Sequence, residues 1–145
     1  MKLRVLLADD HPIVRKSLSR FLQTQDGFEV VGEAQDGSEA VDLAKVLQPD
    51  VIIMDISMPN LNGFDATRRI LSEHSKTKII GLSMHTGRQW VAEMFRAGAA
   101  GYLTKDCDFD EILDAVSFVT AGRIYLSPQI ITESPDVVQF INLPH

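Results

Sequence analysis

Val51-Ile52-Ile53-Met54-Asp55-Ile56-Ser57-Met58-Pro59 sets four consecutive apolar residues directly before an acid and a loop that carries proline. A strand wetted on one side alternates polar and apolar residues. A run without alternation implies burial on both faces, as in the middle of a parallel sheet. A parallel sheet needs crossover helices, so the sequence on either side should alternate strand and helix. Upstream, Leu3-Arg4-Val5-Leu6-Leu7-Ala8 reads as a first strand, followed by Ile13, Val14, Leu18, Phe21 and Leu22 at helical spacing. Phe28-Glu29-Val30-Val31-Gly32-Glu33-Ala34 reads as a second strand, and Ala40, Val41, Ala44 and Leu47 mark the helix after it.

Downstream the alternation continues. A short helix spans about residues 65 to 71, and Ile79-Ile80-Gly81-Leu82-Ser83-Met84 reads as the fourth strand. Val91, Met94 and Phe95 lie on a fourth helix. Ala100-Gly101-Tyr102-Leu103-Thr104 reads as the fifth strand, and Phe109, Ile112, Leu113, Val116 and Val119 form the face of a last helix ended by Gly122. Five strand–helix units predict an α/β fold, a doubly wound five-stranded parallel sheet of flavodoxin-like order 2-1-3-4-5 with helices on both faces. From about Ser127 the period fades, and the remainder to His145 holds three prolines.

The 145 residues suit one domain, and 45% hydrophobic with 23% charged residues is ordinary for a folded chain. The single Cys107 forms no internal disulfide, which points to a reducing compartment. The apolar run after Met1 meets Asp9-Asp10 too soon for a signal peptide or a membrane span, so a cytoplasmic location without membrane contact is expected. A net charge of −6 supplies no basic face for a phosphate backbone, so this chain alone is not expected to bind nucleic acid.

Ligands in open α/β sheets bind beyond the carboxyl ends of the strands. Those ends carry Asp9-Asp10, Asp55, Ser83 and Lys105. Taken singly each has a plain reading: the acid pair as a helix cap, Ser83 as a core hydroxyl, Lys105 as a solvated charge. Those readings do not explain why all five fall on one rim. Clustered carboxylates repel unless a cation sits among them, and Mg2+ accepts one or two carboxylates while keeping room for a phosphate. A carboxylate so placed can attack a phosphoryl donor, with Ser83 donating a hydrogen bond and Lys105 neutralising charge.

Leu7-Ala8-Asp9-Asp10-His11, Met54-Asp55-Ile56-Ser57-Met58-Pro59 with Gly63, Leu82-Ser83-Met84-His85 and Gly101-Tyr102-Leu103-Thr104-Lys105-Asp106 together resemble the receiver domain of two-component response regulators. Ala97-Gly98-Ala99-Ala100-Gly101-Tyr102-Leu103 and Gly122-Arg123-Ile124-Tyr125-Leu126-Ser127-Pro128 are similar to the NarL/FixJ (LuxR-type) class. The resemblance implies residues 1–126 as receiver, with 127–145 a tail or the start of a linker and no DNA-binding domain in this chain. It implies a sensor histidine kinase as phosphodonor and Asp55 as phosphoacceptor. Asp9, Asp10, Asp55 and the Ser57 backbone carbonyl are implied as Mg2+ ligands, Ser83 and Tyr102 as switch residues, and Lys105 as the phosphate-binding lysine. It further implies a signalling switch with slow self-catalysed phosphorylation and dephosphorylation rather than an enzyme, homodimerisation on phosphorylation, and transcription regulation in a longer parent. A stand-alone regulator and a piece of a longer one both remain open. Asp106 stands where many receivers have proline.

Two rivals share the fold class. A haloacid-dehalogenase-type phosphatase wants Asp-x-Asp after its first strand, whereas here the acids are adjacent. A flavin or nucleotide carrier wants a glycine-rich phosphate loop, which is missing. Four further expectations follow. Tyr102 should turn inward when Ser83 moves toward a phosphoryl group. Lys105→Ala should leave stability within about 1 kcal/mol. His11, His74, His85 and His145 should form no metal-ligand pattern, although His85 lies close enough to tune water access. Arg68-Arg69 should be a solvated pair.

Overall fold

In the computed structural model, which describes residues 2–137, every strand is parallel and the run 51–55 lies at the centre of the sheet. The elements follow in the order β1 (Leu3–Ala8), α1 (Pro12–Gln23), β2 (Phe28–Ala34), α2 (Gly37–Leu47), β3 (Val51–Asp55), α3 (Gly63–Glu73), β4 (Lys78–Ser83), α4 (Arg88–Arg96), β5 (Gly101–Thr104) and α5 (Phe109–Thr120). A two-residue strand β6 (Tyr125–Leu126), a short helix α6 (Pro128–Glu133) and a 3₁₀ turn (Pro135–Val137) complete the described chain.

All five residues of β3 are buried, as an unalternated run requires. Val51 and Ile53 pack with Val5, Leu7, Ile80, Leu82 and Leu103 beneath α1 and α5. Ile52 and Met54 pack on the opposite face with Leu6, Ile79, Met94 and Tyr102. The period-two geometry of a strand thus divides one apolar run between two cores.

The sheet has six strands in the order β2-β1-β3-β4-β5-β6, one more than the sequence predicts. Gly122, at φ 83°, ends α5 in the left-handed region that glycine adopts freely. The chain then returns beside β5, pairing Tyr125 with Gly101 and Leu126 with Tyr102. Two residues cannot display a period, so this strand has no sequence signal. Beyond it, Ser127, Ile130 and Val137 are buried, and Arg88 on α4 pairs with Asp136. Val138, Phe140, Ile141 and Leu143 lie outside the described residues.

Arg68 is half-exposed, yet it pairs with Asp65 at 2.9 Å and with Glu93, linking α3 to α4. The expectation of a merely solvated pair therefore fails at Arg68.

Candidate functional site

The sheet reverses its winding at β1, which has β2 on one side and β3 on the other, and ligand crevices form at such a point. Asp9 follows the last residue of β1, and Asp55 is the last residue of β3. Both residues are almost fully buried, at 2% and 1% exposure. Lys105 comes just after β5, where its amide donates to the Ser83 carbonyl at 2.8 Å and ties the ends of β4 and β5 together. Its ammonium lies 3.1 Å from Asp9 Oδ2 and 3.1 Å from Asp55 Oδ2, with its side chain only 6% exposed. Residues far apart in sequence thus meet at one point.

The acid pair does not cap the following helix. The N-cap of α1 is His11, with no side-chain cap bond. Asp9 Oδ1 accepts from the His11 amide at 2.8 Å, and the Asp9 carbonyl accepts from the buried Arg15 guanidinium at 2.7 Å. Arg15 also donates to Glu33 at 3.0 Å, which fixes the backbone under Asp9 from behind. The available signal was a cation on the buried face of α1, at i, i+3 and i+7 spacing with Leu18 and Leu22, and sequence reasoning missed it.

The loop after β3 is folded back onto the strand end. The Ser57 amide donates to Asp55 Oδ1 at 3.1 Å, and the Gly63 amide donates to the Ile56 carbonyl at 3.1 Å. A Cβ at position 63 would stand 2.4 Å from the Asp55 carbonyl oxygen, so only glycine permits this closure. The loop is held at its far side by Asp36, which caps α2 and also accepts from Asn60 at 2.9 Å.

Burial pushes the Asp55 carboxyl up to about 6, and the adjacent Asp9 charge adds to the rise. The Ser57 amide and the Lys105 ammonium oppose it without cancelling it. Asp10 Oδ1 is a buried oxygen without a hydrogen-bond donor, and Asp9 Oδ2 meets only the ion-paired Lys105 ammonium. The pocket therefore holds more acceptor capacity than the protein itself satisfies, which fits a hard cation.

Ser83 is buried at the end of β4, and its Oγ accepts from the His85 amide at 2.9 Å. Tyr102 is also fully buried, and its hydroxyl donates to the His85 carbonyl at 2.8 Å. The expected inward turn of Tyr102 is already complete here. The physical reason is Gly81, its partner across β4 and β5, whose missing side chain leaves space for the ring. Burial drives the phenol up to about 12, so it is a neutral donor. The His85 ring stacks on Trp90 at 4.0 Å, and Phe64 lies 6.0 Å beyond, which fits packing more than a cofactor box.

Two expectations are corrected. Lys105 is a buried, doubly paired cation in this arrangement, so its removal touches stability as well as response. His11 also joins the acids: its Nδ1 lies within 4.8 Å of ligand atoms on Asp9, Asp10 and Asp55.

Residues 5–117 match the family described as response regulator receiver domain. The response regulator GacA of Pseudomonas viridiflava is 41% identical over 128 residues, covering 88% of this chain and 60% of that protein. The transcriptional regulatory protein DegU of Brevibacillus brevis is 38% identical over 129 residues, covering 89% of this chain and 55% of that protein. The chain thus spans little more than half the length of these curated relatives. Among solved structures, a LuxR-family two-component response regulator from Aurantimonas sp. SI85-9A1 superposes with a TM-score of 0.88 at 38% identity, covering 94% of this chain and 97% of that one. The signal receiver domain of the putative response regulator NarL from Mycobacterium tuberculosis gives 0.81 at 37% identity, covering 84% and 98%.

Proposed function

This chain belongs to the response regulator receiver domain family, and from that premise we propose that Asp55 is its phosphoacceptor and a sensor histidine kinase its donor. The observation that carries the assignment is the Asp55 carboxylate itself, buried at the strand end and paired with Lys105 beside Asp9. In the proposed step an Asp55 oxygen attacks the phosphorus of a phosphohistidine. The new O–P bond forms as the P–N bond breaks, and the departing imidazole takes up a proton. Lys105 sits where it can follow the charge from carboxylate to phosphoryl oxygen. Ser83 accepts from the His85 amide, so its own proton remains available for a phosphoryl oxygen. Later attack by water on phosphorus restores the carboxylate, a slow self-catalysed reset.

Asp9, Asp10, Asp55 and the backbone carbonyl of Ser57 are the proposed holders of Mg2+. When bound, the ion offsets the carboxylate repulsion and supplies a positive centre for phosphoryl oxygens. Phosphate uptake from acetyl phosphate should therefore need Mg2+. Asp10→Ala should weaken Mg2+ binding by at least on the order of tenfold without opening the core, since Asp10 is partly exposed. Titration calorimetry checks this; an unchanged Mg2+ affinity would remove Asp10 from the ligand set.

A protein donor must cover this rim to bring its histidine to Asp55. A groove lined by Ile13, Val14, Leu82, Lys105, Phe109 and Ile112 opens beside the acids, and Ile13 there is 82% exposed. An apolar edge next to a charged centre suits such docking.

The proposed readout lies on α4, β5 and α5. A phosphoryl group adds about −1.5 to −2 charge and three acceptor oxygens beside Ser83. Ser83, His85 and Tyr102 form one hydrogen-bonded chain, so a bond to the Ser83 hydroxyl favours the inward Tyr102 over any outward alternative. Beryllofluoride, a phosphoryl mimic, should slow amide exchange across residues 83–121 and promote homodimerisation in sedimentation. Unchanged exchange and unchanged mass would contradict the switch. We propose transcription control as the output, as DegU's name indicates for that relative, with a cytoplasmic location. No helix among the described residues is long and apolar enough to cross a membrane.

A further inference from the structure

We propose that the His11 imidazole is a fourth side-chain ligand in the acid pocket, so that this site takes first-row transition ions such as Mn2+ and Co2+ in preference to Mg2+. The inference rests on the reading of that pocket as a divalent-cation site.

His11 Nδ1 lies 3.0 Å from Asp9 Oδ1, 3.3 Å from Asp10 Oδ1 and 3.7 Å from Asp55 Oδ2. Neighbouring donors around an octahedral ion with bonds of about 2.1 Å stand roughly 3 Å apart. The two shorter separations are therefore those of adjacent ligands, before any rearrangement.

The lone pair of Nδ1 faces the pocket. Lys105 Nζ lies 2.9 Å from this nitrogen, and an ammonium can only donate. Nδ1 is then the acceptor and the ring proton is on Nε2, the tautomer that metal ligation through Nδ1 requires. In that tautomer no proton lies between Nδ1 and Asp9 Oδ1, so two acceptors face each other at 3.0 Å. Independently, Asp10 Oδ1 is buried without a hydrogen-bond donor, and Asp9 Oδ2, on a side chain only 3% exposed, meets the Lys105 ammonium at 3.1 Å, a charge it shares with Asp55. Lys105 brings one positive charge to three carboxylates and one imidazole nitrogen. The shortfall is in cation charge, and a divalent ion makes it good.

Donor chemistry sets the preference. Carboxylate, carbonyl and water oxygens suit Mg2+, whereas an imidazole nitrogen adds little for Mg2+ and more along the first-row series from Mn2+ toward Ni2+. His11 is 58% exposed on its side chain, so the ring can adjust to an ion without disturbing the core.

The test uses the full chain, with MgCl2, MnCl2 and CoCl2 titrated separately by calorimetry into wild type, His11→Ala and His11→Asn. Pulsed electron paramagnetic resonance of the Mn2+ complex reads nitrogen coordination directly. We expect nitrogen modulation in wild type and none in His11→Ala. The ratio of Mn2+ to Mg2+ affinity should fall on the order of tenfold in both variants, while Mg2+ still binds. Absent nitrogen modulation in wild type, or an unchanged affinity ratio in the variants, overturns the role of His11 and leaves the cation site standing. Failure of wild type to bind any of the three ions overturns the cation site as well.

Discussion

Asp55→Asn is expected to abolish phosphate uptake and, in metal-free buffer near neutral pH, to make the protein more stable. Uptake fails because the amide has no nucleophilic oxygen to form the acyl phosphate. The gain in stability follows from the raised Asp55 pKa of about 6, against a reference near 3.8. Between those values the folded chain binds more protons than the unfolded one, so the stability contributed by neutral Asp55 is present at low pH. It is lost as pH rises through about 6. The asparagine side chain of the variant stays neutral throughout. The variant should match wild type near pH 4 and exceed it by about 3 kcal/mol above pH 7. Urea denaturation with EDTA at several pH values measures the difference. A variant less stable than wild type at pH 7 would contradict the assignment of Asp55 as a buried charge held at a cost.

Lys105→Ala should do the opposite. The ammonium is the partner of two nearly buried carboxylates, Asp9 and Asp55, each 3.1 Å away. Removing one member of a buried ion cluster leaves its partners uncompensated, at a cost of about 3 kcal/mol. The loss should shrink as pH falls through about 6, where Asp55 takes up a proton, and should shrink when Mg2+ is added. Phosphate uptake should fall too, because no cation then follows the charge onto the phosphoryl oxygens. A destabilisation under about 1 kcal/mol in EDTA at pH 7 would restore the simpler view that Lys105 waits unpaired for a phosphate.

That contrast marks what the residues disclose by themselves. The buried run at 51–54 dictates a central parallel strand, and alternation on both sides dictates the doubly wound sheet. Strand ends then bring Asp9, Asp10, Asp55, Ser83 and Lys105 to one rim without any contact being known. What stayed hidden depends on register and rotamer. The burial of Lys105 arises only when residues far apart in sequence converge. The inward Tyr102 depends on Gly81 lying directly across the sheet, a pairing that no local pattern announces. The aim of His11 Nδ1 into the acids is a rotamer, and spacing among four scattered histidines does not reveal it. β6 is too short to carry a period, and α6 follows it with only Ile130 buried.

The most direct measurement is intact-mass spectrometry of the chain after incubation with acetyl phosphate and Mg2+, followed by peptide mapping of the acyl phosphate. One phosphate per chain, located on the peptide bearing Asp55 and lost when EDTA replaces Mg2+, is the result this structure predicts. A phosphate on another residue, or no uptake with donor and Mg2+ both present, would contradict it.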